Sequence, residues 1–121
     1  MKKYLLIALS LFSSTSYAQS WVAKADAPQG KHHPITFALN GKGYSIQGKD
    51  SVGQATDDVY QDDPITNSGN VLPDWKGMAR SWGSGTTANG KAYGGVGATN
   101  TAYLKDVWSF DPDNGTYTQL A

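Results

Sequence analysis

The sequence predicts an all-β protein built from short antiparallel hairpins, and three observations carry that expectation. All ten acidic residues are Asp and none is Glu; Asp favours turns where Glu favours helices. No stretch beyond residue 18 places apolar residues at i, i+3, i+4 and i+7 over the length a helix needs. What recurs is short β-prone runs bounded by turn formers.

The elements follow in order. Residues 1–18 read as an address: Met1-Lys2-Lys3 is a positive start, residues 4–12 (YLLIALSLF) are apolar, and Ser16 and Ala18 give the small-x-small pattern of a signal-peptidase site. As a helix, that apolar run rises only ~14 Å against ~30 Å of hydrocarbon, so it is too short to anchor the chain in a membrane. Export, with cleavage after Ala18, to the periplasm or the outside of the cell is therefore expected. Strand-forming runs come next at residues 35–39 (ITFAL), 44–47 (YSIQ), 59–60, 107–110 (VWSF) and 116–120 (TYTQL). Between them lie Asn40-Gly41, Asp63-Pro64, Asn89-Gly90, Asp111-Pro112 and Asn114-Gly115. Asn-Gly suits a two-residue hairpin turn because both central positions need φ > 0. Asp-Pro ends a strand, since Pro offers no amide to the ladder and Asp caps the turn that follows.

The decisive feature is an internal repeat. The segment NGKGYSIQG at residues 40–48 returns as NGKAYGGVG at residues 89–97, an offset of 49. DVYQDDP at residues 58–64 returns as DVWSFDP at residues 106–112, an offset of 48. Asp26 recurs at Asp74, and the cationic position at Lys31 or His32 recurs at Arg80. A period of 40 to 50 residues with strand-like content points to the four-stranded blades of a β-propeller.

At these residues the chain resembles the kelch repeat of secreted bacterial proteins, in the galactose oxidase and kelch superfamily. The resemblance rests on Gly41-Lys42-Gly43-Tyr44 and Gly90-Lys91-Ala92-Tyr93, the pair Gly94-Gly95, Leu104-Lys105-Asp106-Val107-Trp108, and the two Asp-Pro steps. It implies an all-β, kelch-type propeller with two four-stranded antiparallel blades plus one leading strand, an incomplete ring. Residues 19–30 hold the leading outer strand (Trp21 to Lys24), residues 31–75 the first repeat and residues 76–121 the second. Tyr44 and Tyr93 are expected on second strands, and Tyr60 and Trp108 on third strands. The first unit departs from the pattern: Gln47-Gly48 stands where the glycine pair is expected, Asp62 faces Phe110 in the alignment, and Gly69 occupies the outer aromatic position held by Trp21 and Tyr117. Trp75 is expected to take over some of that packing. A ring of ~4–8 blades at 48 residues each needs more than two. The sequence also stops within a recurring motif, so the remaining blades are expected from a longer chain.

Composition excludes several functions. The absence of cysteine removes disulfides, thiolate metal sites and a thiol nucleophile; it also removes the Tyr–Cys cross-link that the copper site of galactose oxidase requires. The formal balance of ten bases and ten acids includes Lys2 and Lys3. The bases beyond them are scattered, which gives nucleic acid no footprint. His32 and His33, the only histidines, point to opposite faces if they lie in a strand, so no metal site and no cofactor is expected. Loops gathered on one rim are expected to bind a protein or glycan ligand, with His32, His33, Arg80 and Trp82 as candidate ligand-binding residues. The alternative is part of a carbohydrate-active kelch enzyme, such as a periplasmic sialic-acid mutarotase, in which Arg80 would serve the substrate, or, as the less favoured case, a galactose-oxidase-like oxidase whose copper site the remaining blades would have to supply.

Overall fold

A computed structural model describes residues 20–121. The expected signal segment and its expected cleavage point lie outside the described residues. Eight strands form two sheets, in the order β1 Ile35–Leu39, β2 Lys42–Ile46, β3 Val59–Asp63, β4 Ser68–Leu72, then β5 Ser84–Ala88, β6 Lys91–Gly95, β7 Val107–Asp111 and β8 Thr116–Gln119. Each sheet is an antiparallel meander with neighbours in sequence order, β1-β2-β3-β4 and β5-β6-β7-β8. These are the two expected blades. Tyr44 and Tyr93 lie on second strands, and Tyr60 and Trp108 on third strands.

The turns form for the reasons their residues supply. Asn40 and Gly41 have φ of 51° and 74°, and Asn89 and Gly90 have 50° and 74°, which is the left-handed pair a type I′ hairpin demands. Asp63 and Asp111 close β3 and β7. The Asp63 Oδ1 accepts the amides of Ile65 at 2.9 Å and Thr66 at 3.3 Å, and the Asp111 Oδ1 accepts that of Asp113 at 3.1 Å.

The β4 and β5 strands belong to no run of β-prone residues. SGNVL and SGTTA are almost wholly exposed and exist through their ladders with β3 and β6. Conversely, the expected leading strand at Trp21 to Lys24 is not formed. Among the described residues, those from 20 to 34 contain no extended strand, and Trp21 is 97% exposed. A strand needs a ladder partner, and the blade expected to supply one is not part of this chain.

The core lies between the sheets. Register puts Ile35, Phe37, Tyr44, Ile46 and Val59 on one face of the first sheet, and that face meets the second. Here Ile35 is 1% exposed and Ile46 is fully buried. The approach is close because Gly85 lacks a side chain: a Cβ there would lie 2.4 Å from Ile35 Cγ2. From the second sheet, Phe110 and Tyr117 stack at 4.8 Å between centroids, with Trp75 at 6.3 and 5.1 Å from them. Trp75 therefore does not cover Gly69 as expected. It packs on the second sheet, and its ring touches the position of Gly94.

The hydrogen bonds also correct the repeat alignment. Gln47 N donates to Asp58 O at 2.8 Å and Val96 N to Asp106 O at 2.9 Å, so Gln47 is the counterpart of Val96. The residues matching Gly94-Gly95 are Ser45-Ile46, not Gln47-Gly48.

Candidate functional site

The segments that enter β1 and β5 and the loops that join β2 to β3 and β6 to β7 meet at one rim. Each entering segment pairs briefly with a loop of its own unit. His32 exchanges backbone hydrogen bonds with Lys49 at 3.0 and 3.0 Å, and Ser81 with Ala98 at 2.9 and 2.9 Å. These equivalent bridges fix the register: His32 matches Ser81, His33 matches Trp82, and Lys31, not His32, matches Arg80.

The cations of the two units do the same work. Lys31 Nζ contacts Asp58 and Thr56 and lies 5.3 Å from the centre of the Tyr60 ring. Arg80 holds Asp106 with both terminal nitrogens, at 2.8 and 2.7 Å, while its Nε donates to Met78 O at 2.9 Å. Trp108 Nε1 adds a 2.6 Å bond to the same carboxylate. Charge-assisted donors favour the ionised acid; Arg80 foremost, opposed by burial and helped by Trp108, holds Asp106 down at about 2. At Asp58, burial pushes the carboxyl up, but the bonds from Lys31, Thr56 and Tyr60 leave it below the usual range. Burial first, and then Asp58, lift the Tyr60 hydroxyl to about 12. The Arg80 side chain is fully buried, and its donors are spent on the loop it organises.

His33 and Trp82 are the residues this scaffold displays. Their rings stack at 3.3 Å between centroids with 19° between planes, and Trp82 N donates to His33 O at 3.2 Å. Both sit in the left-handed region, at φ 53° and 61°, a conformation that costs a bulky residue about 1–3 kcal/mol. The turn at His33 also brings the two histidines together, with Nδ1 atoms 2.8 Å apart. Adjacent histidines point apart only in a regular strand, and this backbone is not one. Among the described residues no third His, Asp or Glu joins them to form a metal-binding group.

A cavity of about 720 Å³ opens beside Trp82, lined by Lys49 and by residues 97–104. Its walls are braced: Asn100 Nδ2 donates to Gln54 Oε1 at 2.6 Å, Asn100 Oδ1 accepts Ala55 N at 3.2 Å, and Thr99 Oγ1 accepts the amides of Thr101 and Ala102 at 3.1 and 2.9 Å. Tyr103 is 92% exposed on this wall. The structure thus brings His32, His33 and Trp82 to one rim and takes Arg80 inside. Tyr103 was not among the rim residues expected from the sequence. An aromatic residue in a short polar loop outside the repeat pattern was the available signal.

No family model and no curated protein matches the sequence. Among solved structures the chain is similar to that of YjhT, with a TM-score of 0.74 and 23% sequence identity, over 88% of this chain and 42% of that one. The chain therefore spans less than half the length of that protein. The likeness, joined to the two four-stranded meanders, shows the fold: the chain carries two blades of a kelch-type β-propeller.

Proposed function

We propose that the protein is an exported kelch-type propeller that acts by binding, with a glycan or protein ligand received at the rim around Trp82 and the other blades supplied by a longer chain. The observation that carries this reading is the exposed Trp82–His33 stack, held in left-handed backbone at the mouth of the 720 Å³ cavity. Strain kept at an exposed position is the mark of a residue retained for contact rather than for the core. Trp82 and Tyr103 offer flat apolar surface, and Lys49 and Asn100 offer polar groups to orient a ligand. Arg80, the group an enzymatic reading needs, is already committed to Asp106.

A glycan array on the complete protein, followed by titration monitored by tryptophan fluorescence, tests the reading. Trp82→Ala is expected to weaken binding at least ~10-fold, as aromatic anchors do, with the fold intact. Affinity unchanged by that substitution overturns the rim assignment, and turnover of a bound sugar replaces binding with enzymatic action. Export is tested by N-terminal sequencing of the periplasmic protein, expected to begin at Gln19. Retention of Met1 on a cytoplasmic product overturns it.

A further inference from the structure

Two histidines at the rim touch each other, and their contact has room for one proton. The left-handed turn at His33 folds its ring back, so that the Nδ1 atoms of His32 and His33 lie 2.8 Å apart with 84° between the planes. At that distance one Nδ1 carries a hydrogen and the other a lone pair. The second unit has Ser81 and Trp82 at these places, so the repeat does not require the pair.

The other neighbour of the pair is Trp82. The His33 ring lies over the Trp82 ring at 3.3 Å between centroids and 19° between planes. A positive charge is favoured over the face of an indole, and a charged Nδ1–H donates more strongly than a neutral one. Both effects put the charge of a first added proton on His33, with His32 Nδ1 accepting. A second added proton would set two hydrogens and two like charges against each other at the contact.

The surroundings supply nothing to offset that second charge. Neither histidine is in an ion pair among the described residues. On their own segment Lys31 is held by Asp58 and Thr56. On the adjoining loop Lys49, whose backbone pairs with that of His32, brings a further positive charge. The Asp50 carboxylate there accepts the amides of Val52 and Gln54 at 3.0 and 2.8 Å, and Asp57 is exposed to solvent. From the second unit Arg80 is spent on Asp106, and Tyr103 is the one titratable residue of the loop 97–104.

We propose that His32 and His33 form a one-proton clamp on Trp82: acidification charges the pair once, and that charge fixes the Trp82 ring against which the rim receives its ligand. The clamp rests on the rim being the binding site, and it ties binding there to the acidity that an exported protein meets.

The clamp is read without a ligand, across the range in which histidine changes charge, about pH 8 to 5. Tryptophan emission of the protein minus that of Trp82→Phe isolates Trp82. That emission is expected to fall as the imidazolium forms over the ring. His33→Asn and His33→Gly, both suited to left-handed backbone, abolish the fall. His32→Ala moves it to lower pH by about one unit, the weight of a hydrogen bond to a charged donor. Proton resonances of the imidazoles, the only two in the chain, are expected to show one proton taken up by the pair over this range. Cooperative unfolding of each variant shows that the fold is kept. A fall that survives both His33 substitutions, a profile that His32→Ala leaves in place, or two protons taken up independently overturns the clamp. A clamp that is present while Trp82→Ala leaves glycan affinity unchanged fails the binding role alone. Binding lost in Trp82→Ala, with emission constant across the range, fails the clamp alone.

Discussion

The two sheets share strand order, turns and a buried cation–Asp pair, yet they place their bulk on opposite faces. The first carries Ile35, Phe37, Tyr44 and Ile46 on the face that meets the second sheet. The equivalent face of the second sheet, turned outward, carries Ser84, Thr86 and Ala88 on β5, all exposed. Three of its four large rings, Trp108, Phe110 and Tyr117, lie on the face that meets the first sheet, with Tyr93 on the outward one, while the matching outward face of the first sheet has Tyr60, Asp62 and Gly69. The repeat sets the backbone, and the neighbour sets which face is apolar. This follows because burial of apolar area rewards only a covered face.

Four measurements would break or sharpen this comparison. The largest effect is expected at the cation–Asp pairs, which the units share in kind but not in strength. Arg80→Met leaves Asp106 without its bidentate partner and is expected to cost about 3–5 kcal/mol, read from urea denaturation. Lys31→Met should cost clearly less, because Asp58 has a single cationic contact where Asp106 has two, while each acid keeps one aromatic donor, Tyr60 or Trp108. Equal losses would erase the distinction between the units.

Next in size is the ring cluster. Tyr117→Ala removes one of three mutually packed rings and is expected to cost about 2–4 kcal/mol. Gly69→Tyr, its mirror in the first unit, is expected to leave stability unchanged or raise it by up to about 1 kcal/mol. A destabilised Gly69→Tyr would show that the first unit is built around its gap.

The third concerns pH. Asp106 is depressed to about 2 from an unfolded value near ~4. Its contribution is therefore fully present above that unfolded value and is lost as pH falls towards 2. Asp58 acts in the same sense. Stability is expected to drop between pH 4 and 2, and Asp106→Asn should flatten more of that slope than Asp58→Asn. A slope unchanged by Asp106→Asn would contradict the assignment.

The smallest effect belongs to the rim. Trp82 is 61% exposed and its backbone is strained, so Trp82→Gly exchanges ring packing for relief of the left-handed penalty. The net change is expected to stay within about 1 kcal/mol, while ligand binding falls. A large loss of stability would make Trp82 a packing residue.

Much of the fold was legible. Asn40-Gly41 and Asn89-Gly90 announced two hairpins, and Asp63-Pro64 and Asp111-Pro112 announced the ends of two strands, because those dipeptides act through local backbone chemistry alone. The β4 and β5 strands were legible only through the repeat, since SGNVL and SGTTA carry no pattern of their own. Of the site, the rim loops and Trp82 could be named in advance, but the fate of Arg80 could not. Its partner Asp106 lies 26 residues away, and nothing local marks that pairing.

By itself the sequence determined the period, the turns, the all-β class and the places where the first unit lacks rings. All of these are properties of short segments or of their recurrence. Only the tertiary structure decided that Lys31 rather than His32 is the counterpart of Arg80, that His33 stacks on Trp82, and that Trp75 serves the second sheet. Each depends on which residues from distant segments share one small volume, and a one-residue shift in register, invisible in a 48- or 49-residue offset, turns a side chain to the other face.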